Sequence, residues 1–328
     1  MSSPHHPSFG RKAIPVTADN FPRAETDMYL ARVVQENGGF GKFFHYRQPM
    51  PIEKQDVVRA NRDTLYSAAV FDLDAAPVTI TMPDAADRFM SLIVIDEDEY
   101  VPGVFYGAGK HTFTKADIGT RYAHIGIRTL VDPDNPGDIE AVHRLQDAIE
   151  VTQTSHGRFE IPNWDKESQK KVRDALIALS ATLPDMRHAF GARDQVDPVR
   201  HLIASASAWG GNPDKDALYL NVTPALNNGQ TAHWLHAQDV PVDGFWSITV
   251  YDQNGYIPPN DRKVYSFNNL TAKTDDDGAV TIQFGGDPVR AKNCIPIVPG
   301  WNYMVRLYRP RAEILNGTWR FPEAQPVH

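Results

Sequence analysis

The chain has 328 residues, 41% of them hydrophobic and 23% charged, with a formal net charge of −8. This length and apolar content allow two domains, each with its own core, and exclude a disordered chain; the acidic balance argues against nucleic-acid binding, and no apolar run nears the roughly 18 residues of a membrane span. The lone cysteine, Cys294, excludes an intramolecular disulfide, and its setting in Asn-Cys-Ile-Pro-Ile-Val-Pro reads as core.

Residues 1–39 read as an N-terminal extension and a helix. Met28, Leu30, Ala31, Val33 and Val34 fall at helical spacing between Arg23 and Glu36, and Gly38-Gly39 ends the run. No apolar leader is visible ahead of it, so a cytoplasmic location is expected. Residues 40–131 read as a first β domain. Ala76 to Met82 alternates and meets a Pro-Asp turn, and Phe89 to Ile95 is β-branched and aromatic. Residues 132–201 read as a helical connector, with apolar stripes over Asp138 to Val151 and Lys166 to Leu183. Residues 202–328 read as a second β domain, with strands at Phe245 to Tyr251, Val280 to Phe284 and Tyr303 to Tyr308. Consecutive short strands without helical crossovers predict a mainly β fold of sandwich, jelly-roll or barrel type.

The two β regions match each other in order. Asp63-Thr64-Leu65-Tyr66 matches Asp216-Ala217-Leu218-Tyr219. Phe89, Ser91, Val94, Asp96, Tyr100 and Pro102 match Phe245, Ser247, Val250, Asp252, Tyr256 and Pro258. Gly119, Tyr122 and Arg128 match Gly300, Tyr303 and Arg309 in a shared G-x-x-Y-x5-R pattern. The spacing between partners widens along the chain, as insertions in loops would make it. An internal duplication follows.

Four segments are distinctive: Asn20 to Val33, Asn61 to Leu73, Gly119 to Pro133 and Phe245 to Asn260. Through NRDTLY in the second and FWSITVYD in the fourth, the chain resembles the bacterial family whose halves are domains of unknown function 1254 and 1214. The resemblance runs from about Asn20 to Phe321. It implies two jelly-roll-type β-sandwich domains with helices packed around them, similar to double jelly-roll capsid proteins. Some members carry carboxylesterase labels, and many relatives are exported.

Chemistry is sought first around the NRDTLY strand. Arg62, with Asn61, Arg47 and the more distant Asn260, could hold a substrate carboxylate or phosphate. Asp63, Tyr66 and His45 could supply acid–base chemistry. The repetition of Asp and Tyr at positions 216 and 219 points instead to a structural role for that pair, and both readings stay open. Asp96 and Asp252 sit four residues before Tyr100 and Tyr256, a spacing that suits a turn in which the Asp caps the following backbone. The H-x-x-H of His233 and His236 and the E-x-x-H of Glu140 and His143 lack a third ligand, and His124, with His45 second, is the strand histidine best placed for a metal; no cofactor is expected, with a bound metal as the lesser alternative. No G-x-S-x-G elbow exists, which excludes an α/β-hydrolase; a strand serine, Ser67 or Ser91, paired with His45 is the remaining serine arrangement. The expectation is a carboxylesterase-like hydrolase acting on a small anionic or ester-bearing substrate, with Arg62 as anchor. The alternative is a non-catalytic ligand-binding or capsid-like assembly protein, and a homo-oligomer would suit either.

Overall fold

In the computed structural model, which describes residues 12–55 and 58–327, two β-sandwiches are joined by a helical segment. The reading of residues 1–11 as an extension without a leader lies outside the described residues. Helix α1 (Phe21–Ala31) runs into a π turn at Arg32–Glu36. Gly39 stops it close to the first sandwich, where a side chain would meet the Ala68 carbonyl at 3.0 Å.

The first sandwich holds β1 (Phe44–His45), β2 (Thr64–Asp72), β3 (Val78–Met82), β4 (Met90–Asp96), β5 (Gly103–Tyr106), β6 (Gly109–Phe113), the short α2 (Lys115–Ile118) and β7 (Tyr122–Leu130). One sheet runs β1-β2-β7-β4-β5. The connector then forms α3 (Pro136–Asp147), β8 (Glu150–Thr152), α4 (Lys166–Ser180) and α5 (Pro198–Ser207). The stripe read as helix to Val151 ends at Asp147, and β8 pairs with β3 to complete a second sheet, β6-β3-β8. The connector therefore contributes a strand to the first sandwich, and its last helix runs past residue 201. Phe71, Ile80, Leu92, Phe113 and Ile125 fill the space between these sheets.

The second sandwich holds β9 (Ala217–Val222), β10 (His233–Ala237), β11 (Trp246–Tyr251), β12 (Ser266–Asn268), β13 (Val280–Phe284), β14 (Asn293–Ile295), β15 (Asn302–Tyr308), α6 (Ala312–Leu315) and β16 (Gln325–Pro326). Its sheets run β12-β11-β15-β9 and β14-β13-β10-β16. Ile248, Ile282, Phe284, Trp301 and Val305 form its core, and Cys294 is buried beside it.

The two topologies coincide. The order β2-β7-β4-β5 repeats as β9-β15-β11-β12, and β6-β3-β8 repeats as β13-β10-β16. The register corrects one sequence match. Arg128 stands opposite both Tyr66 and Ser91, and Arg306 stands opposite both Tyr219 and Ser247. Arg306, not Arg309, is thus the counterpart of Arg128, and the G-x-x-Y-x5-R match is out of register by three residues.

The sandwiches meet at equivalent ends. Phe89 and Leu130 pack with Phe245 and Tyr308, their own counterparts, across the junction. Two hydrogen bonds cross it reciprocally: Asn268 Nδ2 donates to Asp63 at 3.1 Å, and Tyr106 Oη donates to Asp216 at 2.9 Å. Asn268 and Tyr106 occupy matched positions, opposite Ser247 and Ser91. The junction is an internal two-fold contact, with the same patch used on both sides.

Candidate functional site

The Asp63–Tyr66 strand lies at this junction, but the sequence-predicted residues do not converge there as one group. Asp63 is buried and its carboxyl is pushed up by burial, with Arg306 opposing that shift. Asn61 donates to the Tyr308 hydroxyl at 2.9 Å. Tyr66 is half-buried beneath the Arg128 guanidinium, 5.5 Å from its ring centre. These three belong to the junction.

The others lie elsewhere. Arg62 donates to the Met50 carbonyl and covers the Tyr265 ring. Arg47 pairs with Asp147 and donates to the His143 carbonyl. Asn260 donates to Val264 within its own loop at 2.9 Å. His45 Nδ1 meets Ser67 Oγ at 2.7 Å across β1 and β2, and burial followed by the Arg47 charge pushes its imidazole below the usual range.

Asp96 accepts from the Asp98 and Tyr100 amides at 2.8 and 2.9 Å, and Asp252 accepts from Asn254 and Tyr256 at 2.8 and 3.0 Å. Both are turn caps. His233 faces the core and His236 faces solvent, because residues three apart on a strand point to opposite faces. His124 is buried beside Trp209, and burial lowers it to about 4. Among the described residues no three His, Cys, Asp or Glu side chains are grouped to hold a metal ion.

What the junction does concentrate is phenol and guanidinium. Burial opposes the charge of Arg128, yet the phenol oxygens of Tyr66, Tyr219 and Tyr308 hold it above its ordinary value. It donates to the Gly210 carbonyl at 3.1 Å and to Asn212 Oδ1 at 3.5 Å, with the Tyr66 hydroxyl a further neutral partner. Among the described residues it forms no ion pair with a carboxylate. Tyr219 accepts from Asn212 Nδ2 at 3.0 Å and Tyr308 accepts from Asn61, so each hydroxyl keeps its own proton free to donate. Burial, then Tyr219 and Tyr66, raise the Tyr308 phenol well above its usual value, which keeps it protonated. A cation and O–H donors with no anion between them suit an oxyanion.

Asn212 and Tyr219 also line a cleft of about 220 Å³ between β9 and the 184–190 segment of the connector, whose other walls include Met186, Arg187, Phe190 and two carboxylates, Asp185 and Asp214; Arg128 itself is not among its walls. The sequence signal for this centre was available. Ile127-Arg128-Thr129-Leu130 and Val305-Arg306-Leu307-Tyr308 each place one arginine inside an apolar strand end, where a charge needs a reason.

No curated protein matches the chain. Among solved structures it resembles the VPA0106 protein from Vibrio parahaemolyticus, at 17% identity and a TM-score of 0.72 over 95% of this chain and 98% of that one. An uncharacterized protein from Burkholderia cenocepacia matches at 14% identity and a TM-score of 0.54, over 97% of this chain and 91% of that one. Both likenesses concern the fold. The family described as Protein of unknown function (DUF1254) matches residues 40–101, and Protein of unknown function (DUF1214) matches residues 223–312. The chain therefore belongs to the proteins that join a DUF1254 segment to a DUF1214 segment, in that order.

Proposed function

We propose that the protein binds a small organic anion at the junction of its two sandwiches, with Arg128 as the charged anchor and Tyr219 and Asn212 as the contacts at the cleft. The observation that carries this reading is the Arg128 guanidinium, held in protein with neutral partners. A buried cation without a counter-charge is costly in isolation, and a carboxylate at that point would relieve the cost. This moves the anchor role from Arg62, whose guanidinium is engaged by a carbonyl and a ring.

Titration calorimetry with acetate, butyrate, succinate and phosphate tests it. Wild type binds at least one of the carboxylates, and Arg128→Met weakens that binding by roughly 30-fold or more, as expected for removing one side of a desolvated charge pair. Absence of heat with every anion rejects the reading.

Ester hydrolysis is a second reading, favoured by the 2.7 Å contact between His45 and Ser67. A neutral imidazole against a serine hydroxyl is the pairing that nucleophilic catalysis needs. Against it stands the burial of Ser67, which is 1% exposed. A panel of p-nitrophenyl esters decides: turnover by wild type that is lost in Ser67→Ala supports it, and equal rates in the two proteins remove it.

A further inference from the structure

The outer face of the first sandwich's larger sheet is covered by two separate groups of side chains. Over β2, Leu30 and Val33 of the N-terminal helical segment pack on Ala68 and Val70. Over β4, Trp209 packs on Ile93 and Ile95. The strand between them, β7, turns His124, Gly126 and Arg128 to this face, because alternate residues of a strand share one. Gly126 pairs with Ala68 on one side and with Ile93 on the other. It is half-buried, whereas Ile125 and Ile127 on the opposite face are fully buried, so water reaches the glycine in the middle of the sheet. In the second sandwich the same place is filled. Arg306 is the counterpart of Arg128, so Met304 is that of Gly126, and Met304 packs with Ala60, Tyr251 and Ile257. A glycine inside a strand marks a place where something else approaches the backbone closely. His124 leans over this gap: a side chain at Gly126 would come within 3.4 Å of its Nε2. Among the described residues neither ring nitrogen of His124 has a hydrogen-bond partner, and Nδ1 is buried.

We propose that the bound anion extends from Arg128 along β7 over Gly126 and presents a hydroxyl to His124, which makes the ligand an ω-hydroxy carboxylate. This rests on the anion reading above and names the class of ligand. At a rise of about 3.4 Å per residue, Gly126 lies roughly 7 Å along the strand from Arg128, about the span of a six-carbon acid. Ala68, Ile93 and Trp209 border the gap, so the body of the ligand is apolar. The far end is a hydroxyl because a neutral imidazole has one donor and one acceptor nitrogen, and a hydroxyl matches either tautomer. A second carboxylate is disfavoured there. Trp209 lies against His124, the Gly210 carbonyl accepts from Arg128, and the Gly210 amide holds the buried Glu99 carboxyl at 3.0 Å.

Titration calorimetry on the full chain with butyrate, hexanoate and 6-hydroxyhexanoate tests it. Wild type should bind hexanoate roughly tenfold more tightly than butyrate, from two further buried methylenes. It should bind 6-hydroxyhexanoate about fivefold more tightly than hexanoate, from one hydrogen bond. Gly126→Met puts the side chain of the second sandwich into the gap and should cancel the gain from chain length. His124→Phe should cancel the preference for the hydroxyl. Urea unfolding checks that both variants fold, and the comparison among ligands in wild type needs neither. Equal binding of butyrate and hexanoate by wild type, or a length gain that survives in Gly126→Met, overturns the path along β7 while the anion reading stands. Equal binding of hexanoate and 6-hydroxyhexanoate, or a hydroxyl preference that survives in His124→Phe, overturns the contact with His124 and with it the ligand class. If no anion binds, both readings fall.

Discussion

The guanidinium of Arg306 and that of Arg128 stand at the same point in two copies of one strand, and their surroundings differ in kind. Arg306 donates to Thr249 at 3.0 Å, to the Tyr251 hydroxyl at 2.6 Å and to the carbonyls of Arg59 and Ala60 at 2.9 and 3.3 Å, with the charge of Asp63 nearby. The residues matching Thr249 and Tyr251 are Ile93 and Ile95, which can accept nothing. Arg128 keeps Tyr66 and the segment ahead of β9, at Gly210 and Asn212, as Arg306 keeps the segment ahead of β2. Duplication supplied two equal arginines. Around Arg128, two isoleucines stand where the second sandwich has a threonine and a tyrosine hydroxyl, and it has fewer acceptors.

The junction itself remained symmetric, and mutations can break that symmetry. Phe89 and Phe245 pack on Tyr308, with ring centres 5.4 and 4.2 Å away, and on each other at 5.0 Å. Truncating either to Ala is expected to lower stability by about 3–5 kcal/mol, read by urea unfolding, as for other buried aromatic rings. A loss under about 1 kcal/mol at either position would show that the contact is not a shared core.

A second contrast is one of pH. The caps Asp96 and Asp252 make the same turn, but only Asp96 is buried; its turn packs against the connector, where Tyr100 stacks on His201. Burial raises its carboxyl to about 7, and burial likewise raises Asp27 on α1 to about 7. An acid raised in the folded state binds more protons folded than unfolded between about pH 4 and 7, so stability falls as pH rises through that window. The melting temperature should therefore decline from pH 5 to pH 8. Asp96→Asn keeps the acceptor and should flatten the decline; an unchanged slope in that variant would remove Asp96 as its source.

The smallest effects concern the reciprocal bonds. Tyr106→Phe and Asn268→Ala each remove one donor to a buried Asp, and each should cost about 1 kcal/mol. Unequal costs would measure how far the two sides of the junction have diverged.

Much of this architecture was legible in the sequence. The paired strands at Phe89 and Phe245 announced the duplication, because alternating apolar residues and a following Asp turn are written in contiguous residues. The helices at Phe21, Pro136 and Lys166 were legible from their spacing, whereas β8 was absorbed into the end of a helix because its three residues carry too short a pattern to show a period. The candidate site was only half visible. Asn61, Asp63 and Tyr66 were found from their motif. Arg128, Tyr219 and Tyr308 were not assembled with them, since cross-strand register brings them together from segments far apart in the chain. Arg62 attracted the anchor role by adjacency, but it lies ahead of β2 and its guanidinium reaches Met50 and Tyr265 instead.

The contrast between the two arginines is tested most directly by urea unfolding of Arg306→Met beside Arg128→Met. Arg306→Met should lose about 3–5 kcal/mol, because its removal leaves buried carbonyls and hydroxyls without a donor and Asp63 without its counter-charge. Arg128→Met should stay within about 1 kcal/mol of wild type, since an apolar side chain replaces a cation that lacks a carboxylate partner. Equal losses in the two variants would contradict the account, for they would mean that Arg128 is as fully committed to the fold as Arg306.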